Sequence, residues 1–124
     1  MNAPALPAEA AAVDRAERQR AVVAALTPLL PAHALIWRNE DTQPYECDGL
    51  TAYRESPLVV ALPETEAQVA AVLKACHALG VPVVARGAGT GLSGGAMPHR
   101  LGVTLALAKF NRIVKLDKVS RTAV

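Results

Sequence analysis

LVVALPETEAQVAAVLKACHALGVPVVARGAGTGLSGGA, residues 58–96, is the stretch that decides the fold. Leu58 to Leu62 is a short apolar run bounded by prolines, the pattern of a buried strand. Thr65 stands as a helix N-cap with Gln68 three residues on, a capping box in which each side chain satisfies a free backbone N–H. Val69, Val72, Leu73, Cys76 and Leu79 follow at helical spacing, and Gly80 suits the position just past the helix because it adopts the left-handed conformation without a Cβ penalty. Val81 to Ala85 is a second apolar strand. Strand, helix and strand in so short a span is a βαβ unit, whose strands run parallel.

Outward from that unit the pattern is looser. Residues 9–30 are expected to form a helix with Val13, Ala16, Val23, Leu26 and Leu30 near one face, ended by Pro28 and Pro31. The Ala/Pro-rich residues 1–8 are expected to fray. Residues 31–57 show no steady period and read as loop, with one short strand near Leu35–Trp37. Beyond the glycines, Val103 to Leu107 alternates as a strand, and Ile113 to Leu116 reads as another. Thr122-Ala123-Val124 looks like the start of one more, which suggests that the sequence continues. The fold class expected is α+β: an N-terminal helix followed by a small sheet containing the βαβ unit.

Composition excludes several function classes. The chain has 124 residues, enough for one domain with a core, and 52% of them are apolar, which argues against wholesale disorder. No apolar stretch is long enough to span a membrane, and the N-terminus lacks the basic start of a secretory signal. Cys47 and Cys76 form neither a CxxC pair nor a zinc spacing, and read as two reduced thiols. Ten of the eleven acids lie in residues 1–66. From Ala67 to Leu116 the only charges are Lys74, Arg86, Arg100, Lys109, Arg112 and Lys115. A segment of one sign attracts anions, although six cations scattered on a solvated face would read the same. Aromatics are only 3% of the chain and none is interleaved with the basic residues, so nucleic acid is a poor partner. A small phosphorylated ligand fits better.

The chemistry lies between Gly87 and Gly95, where five of nine residues are glycine. Glycine lets the backbone approach a ligand closely, and successive N–H groups then form an anion nest. Thr90 and Ser93 add hydroxyls and Arg86 adds charge at the entrance. The bland alternative is a flexible connection between two strands. A Walker A loop would need Gly-Lys-Ser/Thr, which is absent. Gly89 to Gly94 matches GxGxxG, but no helix follows it, so the dinucleotide fingerprint of a Rossmann fold fails on context. A strand, a glycine loop and a strand remain, holding a diphosphate through backbone N–H groups.

This loop, RGAGTGLSGGA, resembles the pyrophosphate loop of FAD-binding domains of the vanillyl-alcohol oxidase (PCMH) type. Within that group the chain is most similar to the FAD-linked subunits of glycolate oxidases and other 2-hydroxyacid dehydrogenases. Pro44-Tyr45-Glu46-Cys47-Asp48-Gly49-Leu50 with Ala52-Tyr53-Arg54, and Leu58–Pro63 with the Val69–Cys76 helix, carry the rest of the likeness. The resemblance covers about residues 35–124, which it implies are the N-terminal part of the FAD domain, and residues 1–34 are expected to be a helical extension before it. It implies FAD as cofactor, with Ala88, Gly89, Thr90, Gly91 and Leu92 along its diphosphate. Gly87 would set the turn, and Gly95, Ala96 and Met97 would follow along the same cofactor. Arg86 would serve either in an ion pair or in cofactor contact, and Asp48 would anchor the N-terminal segment.

The implied activity is oxidation of a glycolate- or lactate-type 2-hydroxy acid by hydride transfer to the flavin. The implied partner is an iron–sulfur subunit, in the cytoplasm or at the inner face of a membrane. The second flavin-binding half and the cap domain with its His/Glu metal ligands have no counterpart in these 124 residues. His33, His77 and His99 do not replace them: His77 falls on the polar side of its helix, His99 reads as a turn residue and His33 has no evident partner. No catalytic or metal-binding residue is assigned, and the residues alone are expected to be catalytically silent. The alternative is a stand-alone diphosphate-binding module or an inactive remnant.

Overall fold

The structure, a computed structural model, describes residues 8–124. Residues 1–7 and the side chains of residues 8–13, Val13 among them, lie outside the described part. The main sheet has four strands in the order β1-β2-β4-β3: β1 (Leu35–Ile36), β2 (Val59–Ala61), β3 (Val83–Arg86) and β4 (Val103–Ala106). β1 runs antiparallel to β2, while β2 and β3 both run parallel to β4. The two strands of the βαβ unit are therefore parallel, as their sequence requires, but β4 is inserted between them. As the inner strands, β2 and β4 are covered on both faces, so every residue in them is buried.

Two longer helices cover this sheet. The first, α1 (Ala8–Leu26), places Val22 and Leu26 in the core. The expected continuation to residue 30 is not observed. Thr27 still donates to the Val23 carbonyl, but Pro28 has no N–H to extend the ladder and disfavours helical geometry in the residue before it. The chain turns, and Leu30 enters the core from outside the helix. Ala16 is exposed, and Arg15 and Gln19 lie over the sheet instead, donating to the carbonyls of Pro57 and Leu58. Residues 31–57 hold more local structure than the loop expected there: 3-10 turns at Ala32–Ala34 and Gln43–Tyr45 flank β1 and the single helical turn α2 (Asn39–Thr42).

α3 (Glu66–Ala78) begins and ends as its sequence prescribes. The Thr65 hydroxyl accepts from Gln68 N–H at 3.2 Å, while the Gln68 side chain accepts from Glu64 N–H, one residue earlier than in the standard box. At the far end Gly80 has φ +62°, its N–H donates to His77 and that of Val81 donates to Cys76, a Schellman closure. Val72 and Cys76 face the core, where burial pushes the Cys76 thiol pKa up.

Of the last two strands, the one at Thr122–Ala123 lies where expected and the other is shifted. Ile113–Lys115 precede rather than form a strand; β5 (Leu116–Asp117) pairs antiparallel with β6 (Thr122–Ala123) in a separate two-stranded ribbon. The Asp117 side chain accepts from the backbone of Ser120 and Val119 and from the Ser120 hydroxyl, which closes the turn and holds its carboxyl below the ordinary value. An Asx-type turn so near Leu116 fixes the hairpin there.

The central strand carries one misfit. Thr104 is fully buried and its hydroxyl has no partner among the described residues. A buried hydroxyl left unpaired costs about 1–3 kcal/mol, and a nearly isosteric apolar residue recovers part of it. Thr104→Val is expected to stabilise the chain by about 1 kcal/mol, read as a higher urea midpoint at unchanged m-value. An unchanged or lower midpoint would show that the hydroxyl is satisfied after all.

Candidate functional site

β3 ends at Arg86, and residues 87–102 lead back to the start of β4, its parallel neighbour, without any helix. In parallel sheets such returns usually contain a helix. Here the glycine-rich segment leaves from the carboxyl end of β3, the end where open α/β sheets bind ligands. Leu107 N–H donates to Arg86 carbonyl and completes the ladder. From there the loop leaves the sheet, and Gly89 (φ +72°) and Gly94 (φ +75°) take the left-handed turns that redirect it.

The loop's hydrogen bonding is its chief chemical property. Among the described residues, no backbone N–H from Gly87 to Ala96 donates to any backbone or side-chain acceptor. Among the described residues only one bond involves this run, Met97 N–H to Gly94 carbonyl at 3.1 Å, which closes the turn holding Gly95 and Ala96. Ten consecutive amides thus have no acceptor among the described residues. Buried amides are nearly always paired within a protein, so free ones survive only on a surface open to water or ligand. Gly87, Ala88, Thr90, Gly91, Leu92 and Gly95 are exposed, while Gly89 and Ala96 are partly covered. At Gly87, Gly91 and Gly95 a Cβ would meet nothing within 4 Å, so the surface there is bare backbone. The hydroxyls of Thr90 and Ser93 likewise have no partner among the described residues. A polyanion is the ligand chemistry that such a donor set suits.

Behind the loop stands the segment 45–50. Arg86 donates to the Cys47 carbonyl at 2.7 Å and lies over the Tyr45 ring, 5.6 Å from its centroid. The same guanidinium occupies the space that a Cβ on Gly89 would need. Among the described residues Arg86 forms no ion pair; it ties the loop to its support. Asp48 is buried and accepts from Leu50 N–H at 2.9 Å, while its second oxygen has no partner among the described residues. Gly49 then comes so close to the loop that a Cβ there would lie 2.7 Å from the Thr90 carbonyl oxygen and 2.8 Å from that of Gly91. Sequence reading placed Asp48 as an anchor but missed Tyr45 and Gly49 as partners of the loop. The one available signal was an isolated glycine after Asp48, of the kind that marks a close backbone approach.

The remaining titratable groups stay apart from the loop. His33 has a partner that its sequence context did not reveal: it bonds Glu64 at 2.8 Å, and that bond holds the Glu64 carboxyl below its ordinary value. His77 is exposed, and His99 accepts from Leu101 N–H within its own turn. Among the described residues none of the six cations between 67 and 116 forms an ion pair, and five of them are exposed, Arg86 being half-buried. Among the same residues no group of three or more His, Cys, Asp or Glu could hold a metal ion, and no helix is long and apolar enough to cross a membrane.

Residues 57–124 match the family described as FAD binding domain. The match takes in more than half of the chain, and the chain belongs to this family, with FAD as its cofactor. Over 102 residues, 82% of its length, the chain is 51% identical to the glycolate oxidase subunit GlcD of Escherichia coli (strain K12), of which they span 20%. It is 40% identical over 68 residues to the mitochondrial D-lactate dehydrogenase (cytochrome) 1 of Saccharomyces cerevisiae, covering 52% of this chain and 12% of that one. The chain thus spans about a fifth or less of these curated relatives. Among solved structures, p-cresol methylhydroxylase with substrate bound superposes with a TM-score of 0.69 at 24% identity, over 82% of this chain and 20% of that one. An alkyldihydroxyacetonephosphate synthase gives 0.70 at 18% identity, over 82% and 23%. These likenesses bear out the α+β fold and the PCMH-type resemblance.

Proposed function

We propose that this chain is the cofactor-binding portion of a flavin-dependent oxidoreductase acting on a 2-hydroxy acid of the glycolate or lactate type. In this reading 35–124 form the N-terminal part of the FAD domain and 1–34 its helical extension. Gly87 sets the turn, Ala88, Gly89, Thr90, Gly91 and Leu92 hold the FAD pyrophosphate, and Gly95 and Ala96 continue along the cofactor. The observation that carries the proposal is the run of ten amides without an acceptor among the described residues. Bound FAD supplies the hydride-accepting chemistry. The chain's own work is to bind and orient: amides and the Thr90 and Ser93 hydroxyls donate to phosphate oxygens, and Arg86 contributes positive potential from behind the loop. None of the described side chains is assigned as a general base.

The substrate class rests on the relatives, named for glycolate and D-lactate. The resemblance in the loop supports one further step: electrons pass on to an iron–sulfur partner subunit, in the cytoplasm or at the inner face of a membrane.

The test is a fluorescence titration of the chain with FAD, with riboflavin and inorganic pyrophosphate as competitors. Saturable FAD binding displaced by pyrophosphate but not by riboflavin is the expected result. No binding by a chain with a native circular dichroism spectrum would refute the site in these residues.

A further inference from the structure

An anion nest depends on which way its N–H groups point, and the structure offers a cause for that direction. In a planar trans peptide the C=O of one residue and the N–H of the next point in opposite directions. The described chain has no cis peptide. The position a Cβ would take on Gly49 has the Thr90 and Gly91 carbonyl oxygens as its nearest neighbours, at 2.7 and 2.8 Å, nearer than any carbon of either carbonyl. Both oxygens are therefore turned inward, onto Gly49. The amides that share those two peptide planes, Gly91 N–H and Leu92 N–H, are turned outward, side by side. Two successive N–H groups on one side of the chain are the minimal anion-binding nest.

We propose that Gly49 is a positioning residue for the cofactor: its bare Cα seats the Thr90 and Gly91 carbonyls and thereby aims the Gly91 and Leu92 amides at the pyrophosphate. This deepens the reading of Gly87–Ala96 as the FAD loop and rests on it. Two neighbouring contacts hold the seat in place. The Asp48 carboxylate fixes the turn at Leu50 N–H, and Arg86 joins the Gly89 end of the loop to Cys47 and Tyr45. The Leu92 side chain closes over the same glycine, with its methyl 3.1 Å from the Cβ position. A methyl group at residue 49 would meet backbone oxygens on two sides, so the loop peptides, not a flexible side chain, would have to rotate.

The experiment follows the backbone amides of the 124-residue chain by 1H–15N NMR during titration with inorganic pyrophosphate. In the unsubstituted chain the Gly91 and Leu92 resonances are expected to move most within Gly87–Ala96. In Gly49→Ala these two responses are expected to be lost and pyrophosphate affinity to fall about tenfold, the worth of one charge-assisted amide bond. Resonances of β2 and β4 should stay in place, which a general loss of structure would not allow. If no amide of Gly87–Ala96 moves in the unsubstituted chain, the site reading itself fails, and this proposal with it. If the loop responds but Gly91 and Leu92 do not, or if Gly49→Ala responds as the unsubstituted chain does, the positioning role alone is overturned. Should Gly49→Ala not fold, the unsubstituted titration decides by the same two resonances.

Discussion

Gly91→Glu is expected to weaken FAD binding by at least about 100-fold, close to 2.7 kcal/mol, while leaving the fold intact. The two halves of that expectation have separate grounds. A Cβ at Gly91 meets nothing within 4 Å, and the residue does not use a positive φ, so a side chain enters without strain. The melting temperature should therefore stay within about 2 °C of the unsubstituted chain, as for ordinary surface changes. The new carboxylate, however, projects from the same bare backbone that would receive the diphosphate. Two like charges about 4 Å apart repel by about 1 kcal/mol in water and about 4 kcal/mol at the edge of a protein. Steric displacement of the phosphates adds to this. Gly91→Gln separates the two contributions, since it has the same bulk without charge and should fall between the two. FAD binding by Gly91→Glu at the original affinity would show that the diphosphate lies elsewhere.

Leu58→Ala is expected to cost about 3 kcal/mol of stability and to lower the melting temperature by about 10 °C. Leu58 is completely buried at the entry to β2, among the largest enclosed side chains of the molecule. Its backbone is held from two sides, N–H to the Gly102 carbonyl at 3.0 Å and C=O to the Gln19 side chain at 2.8 Å. With the main chain pinned this way, the neighbours have little freedom to close the cavity, and residual cavity volume is what raises the cost of such truncations. Leu92→Ala provides the contrast: Leu92 is 74% exposed, and its truncation should change stability by no more than about 0.5 kcal/mol. Urea denaturation of both variants gives the comparison. Equal midpoints would mean that the core does not depend on the β2 entry.

What could be read from the sequence was local. The capping box at Thr65, the Gly80 closure and the β2 and β3 segments depend on neighbours within a few residues, and the structure places them as read. The glycine loop was equally evident, because a density of five glycines in nine residues has few structural uses. The end of α1 was misplaced because Pro28 and Pro31 both stop helices, and choosing between them needs to know where Leu30 is buried. The insertion of β4 between β2 and β3 leaves no periodic trace, since the inner strands are apolar on both faces whichever neighbours they have. The same holds for the support of the loop. Arg86 reaches Cys47 and Gly49 reaches Thr90 across some forty positions, and neither spacing nor amphipathic pattern encodes a contact between two irregular segments.

That inserted strand also governs the order of assembly. Val59 and Val83 both pair with Val103, so neither β2 nor β3 has a parallel neighbour until β4 has been synthesised and threaded between them. On the ribosome the first hundred residues emerge with a gap at the middle of their sheet. α3 can form early from local contacts, but the sheet closes only in one late step, and non-local parallel pairing is intrinsically slow. Until then, Val59, Val60 and Ala61 are an apolar strand with an unoccupied edge, the kind of segment that associates with other chains before its own continuation arrives.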